Sequence, residues 1–222
     1  MNILVSGADG NLGSAVVDKL MAENHNVFGL FAHEDKAQSD KRDFEKFSAD
    51  LTNPEAADKA VSEMQNKFNS INGAVLTVGG FAMGNIENTS IEAIEKQIKL
   101  NFNTAYNLVK PLLAKMSKGG QIFLIGARPA TDAAELKDKL AYGLAKKLVF
   151  TLAEVINADR KDTGIQCKVI VPSIIDTPPN RESMPDMDFS KWVKPAEIAD
   201  TIYFHLTHNY IKDAVVKVYG EV

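Results

Sequence analysis

The chain opens on an apolar run, Asn2-Ile3-Leu4-Val5-Ser6, that reaches three glycines spaced three apart, Gly7, Gly10 and Gly13, and passes directly into a helical pattern. Few local patterns restrict a fold as much. A strand, a glycine turn and a helix in that order begin a βαβ unit, whose second strand runs parallel to the first. The rest of the chain keeps the alternation. Strand-like runs fall at 26–31, 47–49, 73–78, 121–125, 165–171 and 214–219, and helical periodicity near 12–24, 54–68, 90–117, 139–159 and 196–208. This order predicts the α/β class: a single Rossmann-type doubly wound domain over 1–222, with a mostly parallel seven-stranded sheet and helices on both faces.

One stretch breaks the rhythm. Residues 172–195 hold five of the eight prolines, the only tryptophan and two methionines. So long a connection without evident secondary structure predicts a lid-like substrate segment over 173–195.

Composition excludes several classes. Hydrophobic residues at 45% and charged residues at 24% are those of a folded globular chain. The net charge is −4 and the basic residues are scattered, so no nucleic-acid partner is expected. The start lacks a basic leader and no apolar run approaches a bilayer span, which predicts a cytoplasmic chain without a membrane partner. Asn88-Thr89-Ser90 matches a glycosylation acceptor only on a secretory route. A lone cysteine, Cys167, rules out a disulfide framework and reads as a buried strand residue. His205 and His208 lack accompanying ligands and read as surface helix histidines, so no metal site is expected. The charged run 33–46 reads as a solvated loop.

The unusual residues gather where an open α/β sheet binds ligands, beyond the carboxyl ends of its strands. The turn Gly7-Ala8-Asp9-Gly10-Asn11-Leu12-Gly13 follows the first strand. Asp50 and Leu51 follow the third, Val78-Gly79-Gly80-Phe81 the fourth, Gly126-Ala127 the fifth, and Pro172 to Thr177 the sixth, Ile175 among them. Glycines let a backbone approach a pyrophosphate, and a helix N-terminus offers it unpaired N–H groups. Tyr142 and Lys146, at i and i+4, share one helix face. An ammonium beside a phenol favours the phenolate, which suits the tyrosine to proton transfer.

These motifs together resemble the short-chain dehydrogenase/reductase family over essentially the whole chain. Within it, GGFAMGN at 79–85, AYGLAK around Tyr142 and DTPPNRESMPDMDFSKW at 176–192 are similar to its pterin-reducing members. The resemblance implies an oxidoreductase using NADH or NADPH, with a quinonoid dihydropteridine as substrate. It implies that Gly7, Gly10 and Gly13 cradle the pyrophosphate and that Asp50, backed by Leu51, bonds the adenine. It assigns Lys146 to the nicotinamide ribose, Thr177 and the backbone near Ile175 to the carboxamide, and Tyr142 to proton donation. Phe81 and Trp192 would bracket a flat ring, with core packing an equal alternative for Phe81. It also implies a homodimer through the helices at 90–117 and 139–159.

Three departures stand out. The serine most members carry after the fifth strand is replaced by Gly126-Ala127-Arg128. Asn101 keeps the general family's asparagine, either to organise a relay water or to bond backbone. The second strand ends Leu30-Phe31-Ala32-His33, with no acid for the ribose; His33 or Lys36 there would suit a 2′-phosphate. Two alternatives stay open: another quinone-like or carbonyl substrate, and a dinucleotide sensor without catalysis.

Overall fold

The structure, a computed structural model, describes residues 1–221; Val222, the last residue of the expected domain, lies outside them. Seven strands form one sheet: β1 (Asn2–Ser6), β2 (Asn26–Phe31), β3 (Glu45–Ser48), β4 (Ile71–Leu76), β5 (Met116–Ile125), β6 (Gln166–Pro172) and β7 (Val215–Val218). Every pairing is parallel, in the order β3-β2-β1-β4-β5-β6-β7. The connections therefore diverge at β1 and β4, and a crevice opens beyond their carboxyl ends.

The helices are α1 (Asn11–Ala22), α2 (Glu34–Ser39), α3 (Pro54–Phe68), α4 (Ile91–Ile98), α5 (Thr104–Lys115), α6 (Ala133–Leu136), α7 (Leu140–Asp159), α8 (Pro178–Ser183) and α9 (Pro195–Thr207). Among the described residues no helix is long and apolar enough to cross a membrane. Local chemistry sets several bounds. The Asn53 side chain accepts the Glu55 N–H at 2.8 Å and Pro54 opens the first turn, while Asn69 closes α3 in the left-handed region at φ 60°.

Alternation along each strand sorts side chains into two layers. Leu4, Leu30, Leu76, Leu124 and Val169 pack against α3, α5 and α7. Ile3, Val5, Phe31, Val75, Phe123 and Ile170 pack against α1, α2 and α9. Burying each such aliphatic side chain contributes about 1.5–3 kcal/mol. Cys167 is buried in the first layer, its thiol pushed up by burial, and the Asn157 side chain pairs with its N–H at 2.7 Å and its carbonyl at 2.8 Å.

Three expectations need correction. The helix expected over 90–117 is α4, a π-helical turn at Lys99–Asn103, and α5, and the chain enters β5 at Met116. The segment 173–195 has secondary structure: α8, a 3₁₀ turn at Phe189–Lys191 and a bridge between Ile175 and Val193. The run 33–46 is no free loop, because it supplies α2 and the start of β3.

Candidate active site

The glycine turn is built by close approach. Gly7 has φ +64°, which favours glycine, and a Cβ on Gly13 would lie 2.0 Å from the Gly7 carbonyl oxygen. Gly10 caps α1 without a side-chain bond, so the first N–H groups of the helix have no side-chain cap. From the neighbouring strand, Thr77 Oγ1 donates to the Ser6 carbonyl at 2.6 Å and fixes the turn's entry. Around it lies a cleft of about 420 Å³, lined by Gly7, residues 9–13, residues 77–79, Ile175, Thr177 and Asn180. Backbone crowding that excludes a Cβ at Gly13, beside a 12-residue helix without a side-chain cap, fits the pyrophosphate of a dinucleotide.

The loop after β4 is held by Asn101, which is buried in the π turn. Its Nδ2 donates to the carbonyls of Gly80 and Gln97, both at 3.1 Å, and its Oδ1 accepts the Gly80 N–H at 3.1 Å. Of the two roles expected for it, the structure shows backbone bonding, and to a loop 21 residues away as well as within the helix. A Cβ on Gly79 would lie 2.7 Å from Asn101 Oδ1 and 3.3 Å from Lys146 Nζ, so these three groups meet at one point.

Tyr142 and Lys146 rise from the start of α7. Lys146 Nζ donates to the Ile125 carbonyl at 2.8 Å and lies 5.8 Å from the Tyr142 ring centroid. Burial dominates both groups: it pushes the Tyr142 phenol up to about 12 and the Lys146 ammonium down to about 8. The expected lowering of the phenol by its neighbour is thus outweighed by desolvation. Phe81 is 59% exposed and meets the Tyr142 ring edge-on at 5.1 Å. Gly143 leaves room for Leu136, whose Cδ1 would lie 1.9 Å from a Cβ there. The Leu140 N–H donates to the Gly84 carbonyl at 2.8 Å, which ties Phe81's loop to the head of α7. Ala127 is buried, and no hydroxyl stands at its position.

Of the other expected site residues, Phe31 and Trp192 lie in the core. Phe31 is 1% exposed and stacks on Phe44 at 6.2 Å, because the strand's alternation turns it into the α1/α2 layer; its side chain is not a cleft residue. Trp192 is 3% exposed and packs on Phe189 at 4.8 Å, so its ring offers no open face. The segment that carries it closes on itself through the Asp176 N–H to Val193 carbonyl bond of 2.7 Å. Leu51 is a core residue. The Asp50 carboxylate is exposed and accepts the Thr52 N–H at 2.9 Å and hydroxyl at 2.7 Å, which hold it below the usual carboxylate range. His33 is exposed at the N-cap of α2, Pro172 is buried at the end of β6, and Thr177 caps α8. His205 is buried on α9 rather than on the surface.

Two contributors escaped the sequence reading. Asn180 lines the cleft and donates to the Ile175 carbonyl at 2.8 Å; its place between two prolines and an arginine carries no recognisable signal. Arg42 reaches the glycine turn from the connection before β3. Its Nη2 donates to the Ala8 carbonyl at 3.1 Å and its Nη1 to Ser14 Oγ at 3.0 Å.

Known proteins agree with this architecture. The family model for short chain dehydrogenases matches residues 1–188. A dihydropteridine reductase of Dictyostelium discoideum is 23% identical over 91% of this chain and 86% of its own length. An uncharacterized oxidoreductase of Bacillus subtilis, YmfI, is 23% identical over 98% of this chain and 96% of its own. Among solved structures, ligand-free aldohexose dehydrogenase of Thermoplasma acidophilum superposes with a TM-score of 0.85 at 22% identity, covering 98% of this chain and 91% of that one. A blue fluorescent protein from a metagenomic library, in complex with NADPH, gives 0.84 at 20% identity, with 99% and 96% covered.

Proposed function

The chain belongs to the short-chain dehydrogenase family, and on that premise we propose that this NAD(P)H-dependent oxidoreductase reduces a flat conjugated imine of the quinonoid dihydropteridine type. The observations that carry the reading are the exposed Phe81 ring 5.1 Å from the Tyr142 phenol ring and the buried Ala127, two residues beyond β5, in place of the hydroxyl residue that the family pattern has there. A carbonyl substrate develops negative charge on oxygen and benefits from a second donor beside the phenol. A conjugated imine develops no alkoxide and takes its proton on nitrogen, so one donor is enough. The similarity to the Dictyostelium reductase supports the same substrate class.

The residues divide the work. Residues 7–13 would hold the pyrophosphate, and Thr177 and Asn180 the nicotinamide end of the cleft. The bound dinucleotide supplies a hydride. Tyr142, protonated at neutral pH with its pKa near 12, donates the proton, so the ring system gains one hydride and one proton. Lys146 keeps its charge below pH 8 and stabilises the phenolate left behind. Asn101 is a positioning residue for the loop of Gly79 and Gly80, and Phe81 would stack on the flat ring. Exposed Ile91, Tyr106, Leu148 and Val155 on α4, α5 and α7 support a homodimer through those helices.

Oxidation of NADH and NADPH with quinonoid dihydrobiopterin tests the reading. Wild type should turn over, and Tyr142→Phe should lose about 10²–10⁴ in kcat/KM. No turnover with either dinucleotide would sink the pterin assignment. Full activity in the variant would remove Tyr142 from proton transfer.

A further inference from the structure

A Rossmann-type chain usually places at the end of β2 the acid that holds the adenosine ribose. Here Phe31 turns inward and Ala32 and His33 follow. Another carboxylate stands beside the vacated place. The Ala8 N–H donates to the Leu30 carbonyl at 3.1 Å, which sets the next residue of the turn, Asp9, alongside the carboxyl end of β2. Asp9 is exposed and lines the cleft with Gly7 and Gly10. Its carboxylate has no hydrogen-bond or ion-pair partner among the described residues. Asp18 and Asp40, by contrast, are held by Arg42, and Asp50 by Thr52.

Arg42, beside the glycine turn, has no donor left over for a phosphate. The five N–H groups of Arg42 are committed: Nε to Asp40 at 3.0 Å, Nη1 to Asp18 at 2.8 Å and Ser14 Oγ at 3.0 Å, and Nη2 to the Ala8 carbonyl at 3.1 Å and Asp40 at 2.5 Å. Glu34 and Asp35 precede Lys36 on α2 and leave that short helix negative overall. A dianionic 2′-phosphate would meet the carboxylates of Asp9, Glu34 and Asp35 against the single ammonium of Lys36 on α2, whereas a ribose hydroxyl can donate to a carboxylate.

We propose that Asp9, from within the glycine turn, takes over the role of the missing strand-end acid and selects NADH against NADPH. The inference rests on the dinucleotide-binding reading and is independent of the pterin. The test is fluorescence titration of the full chain with NADH, NADPH, 5′-AMP and adenosine 2′,5′-bisphosphate, for wild type, Asp9→Asn and Asp9→Arg. In wild type NADH should bind at least about tenfold more tightly than NADPH. The ratio should shrink to within about threefold in Asp9→Asn and invert in Asp9→Arg, with the two adenosine fragments following the same order. Equal or tighter NADPH binding in wild type overturns the assignment, and so does a ratio that Asp9→Asn leaves unmoved. Retained NADH selectivity without pterin turnover would sink only the substrate reading. Binding of neither dinucleotide would sink both.

Discussion

The two edges of the sheet are made of different chemistry. At the amino ends of the strands, polar side chains are committed to the fold. Asn2 donates through Nδ2 to Ser70 Oγ at 2.8 Å and accepts from Asn26 at 2.8 Å; its own N–H donates to Asn72 at 2.8 Å. Gln121 donates to the Leu206 carbonyl at 2.9 Å, and buried Lys168 holds the Ile211 carbonyl at 2.5 Å. At the carboxyl ends, Gly7, Gly10, Gly13 and Gly79 line a cleft and put no side chain into it. The closed edge bonds Asn2, Lys168 and the Gln121 amide nitrogen internally, leaving Gln121 Oε1 without a partner, whereas the open edge presents backbone groups to a cleft.

Substitutions at each edge should therefore fail in different ways. The largest effect is expected at Gly13→Ala. A Cβ 2.0 Å from the Gly7 oxygen forces the turn to move, so dinucleotide affinity should fall by more than about 100-fold in a fluorescence titration. Affinity within threefold of wild type would show that the open edge tolerates a side chain and would break the contrast. Asn2→Ala attacks the closed edge. Loss of its paired bonds should lower stability by about 1–2 kcal/mol in denaturant unfolding while leaving dinucleotide affinity unchanged. A parallel fall in affinity would mean that the two edges are coupled.

The smallest effect sharpens the comparison through pH. Lys146 is buried with its pKa depressed from 10.5 to about 8. Between those values the unfolded chain binds more protons than the folded one, so wild-type stability rises with pH across that window and carries the full burial cost below pH 8. Lys146→Met cannot titrate. It should melt roughly 2–4 °C higher than wild type at pH 7, with the gain shrinking toward pH 10. A difference that stays constant from pH 7 to 10 would show that the ammonium is not stabilised at the expense of the fold. Lys168, on the closed edge, has the same direction of shift from burial but three oxygens around its Nζ, at Ile211, Asp213 and Gln166.

What was legible in the sequence was local. The bounds of α3 follow from Asn53-Pro54 at one end and Asn69 at the other, and β2 and the glycine turn follow from consecutive residues. The apolar spacing over 90–117 predicts one continuous helix because it carries on through 99–103. The π turn coincides with Asn101's bonds to Gly80, a partner 21 residues earlier. The lid-like reading of 173–195 missed α8 because its proline density hides a helix that Pro178 and Pro179 open at their first positions. Arg42 sat in a charged run that looked solvated, yet its partners Ala8 and Ser14 are 34 and 28 residues away.

The sequence by itself determined the α/β class, the glycine turn and the Tyr142–Lys146 pair, since each depends on neighbours within about one helical turn or one strand. Only the tertiary structure decided which side chains face the cleft. Phe31 and Trp192 carry the right chemistry for a site but lie in the core, while Asp9, Asn180 and Phe81 line the cleft or stand exposed beside the phenol. Orientation is set by which layer a strand's alternation points into and by long-range bonds such as those of Asn101 and Arg42. The phenol's protonation was decided the same way: residue spacing brings an ammonium near, but burial by distant segments outweighs it.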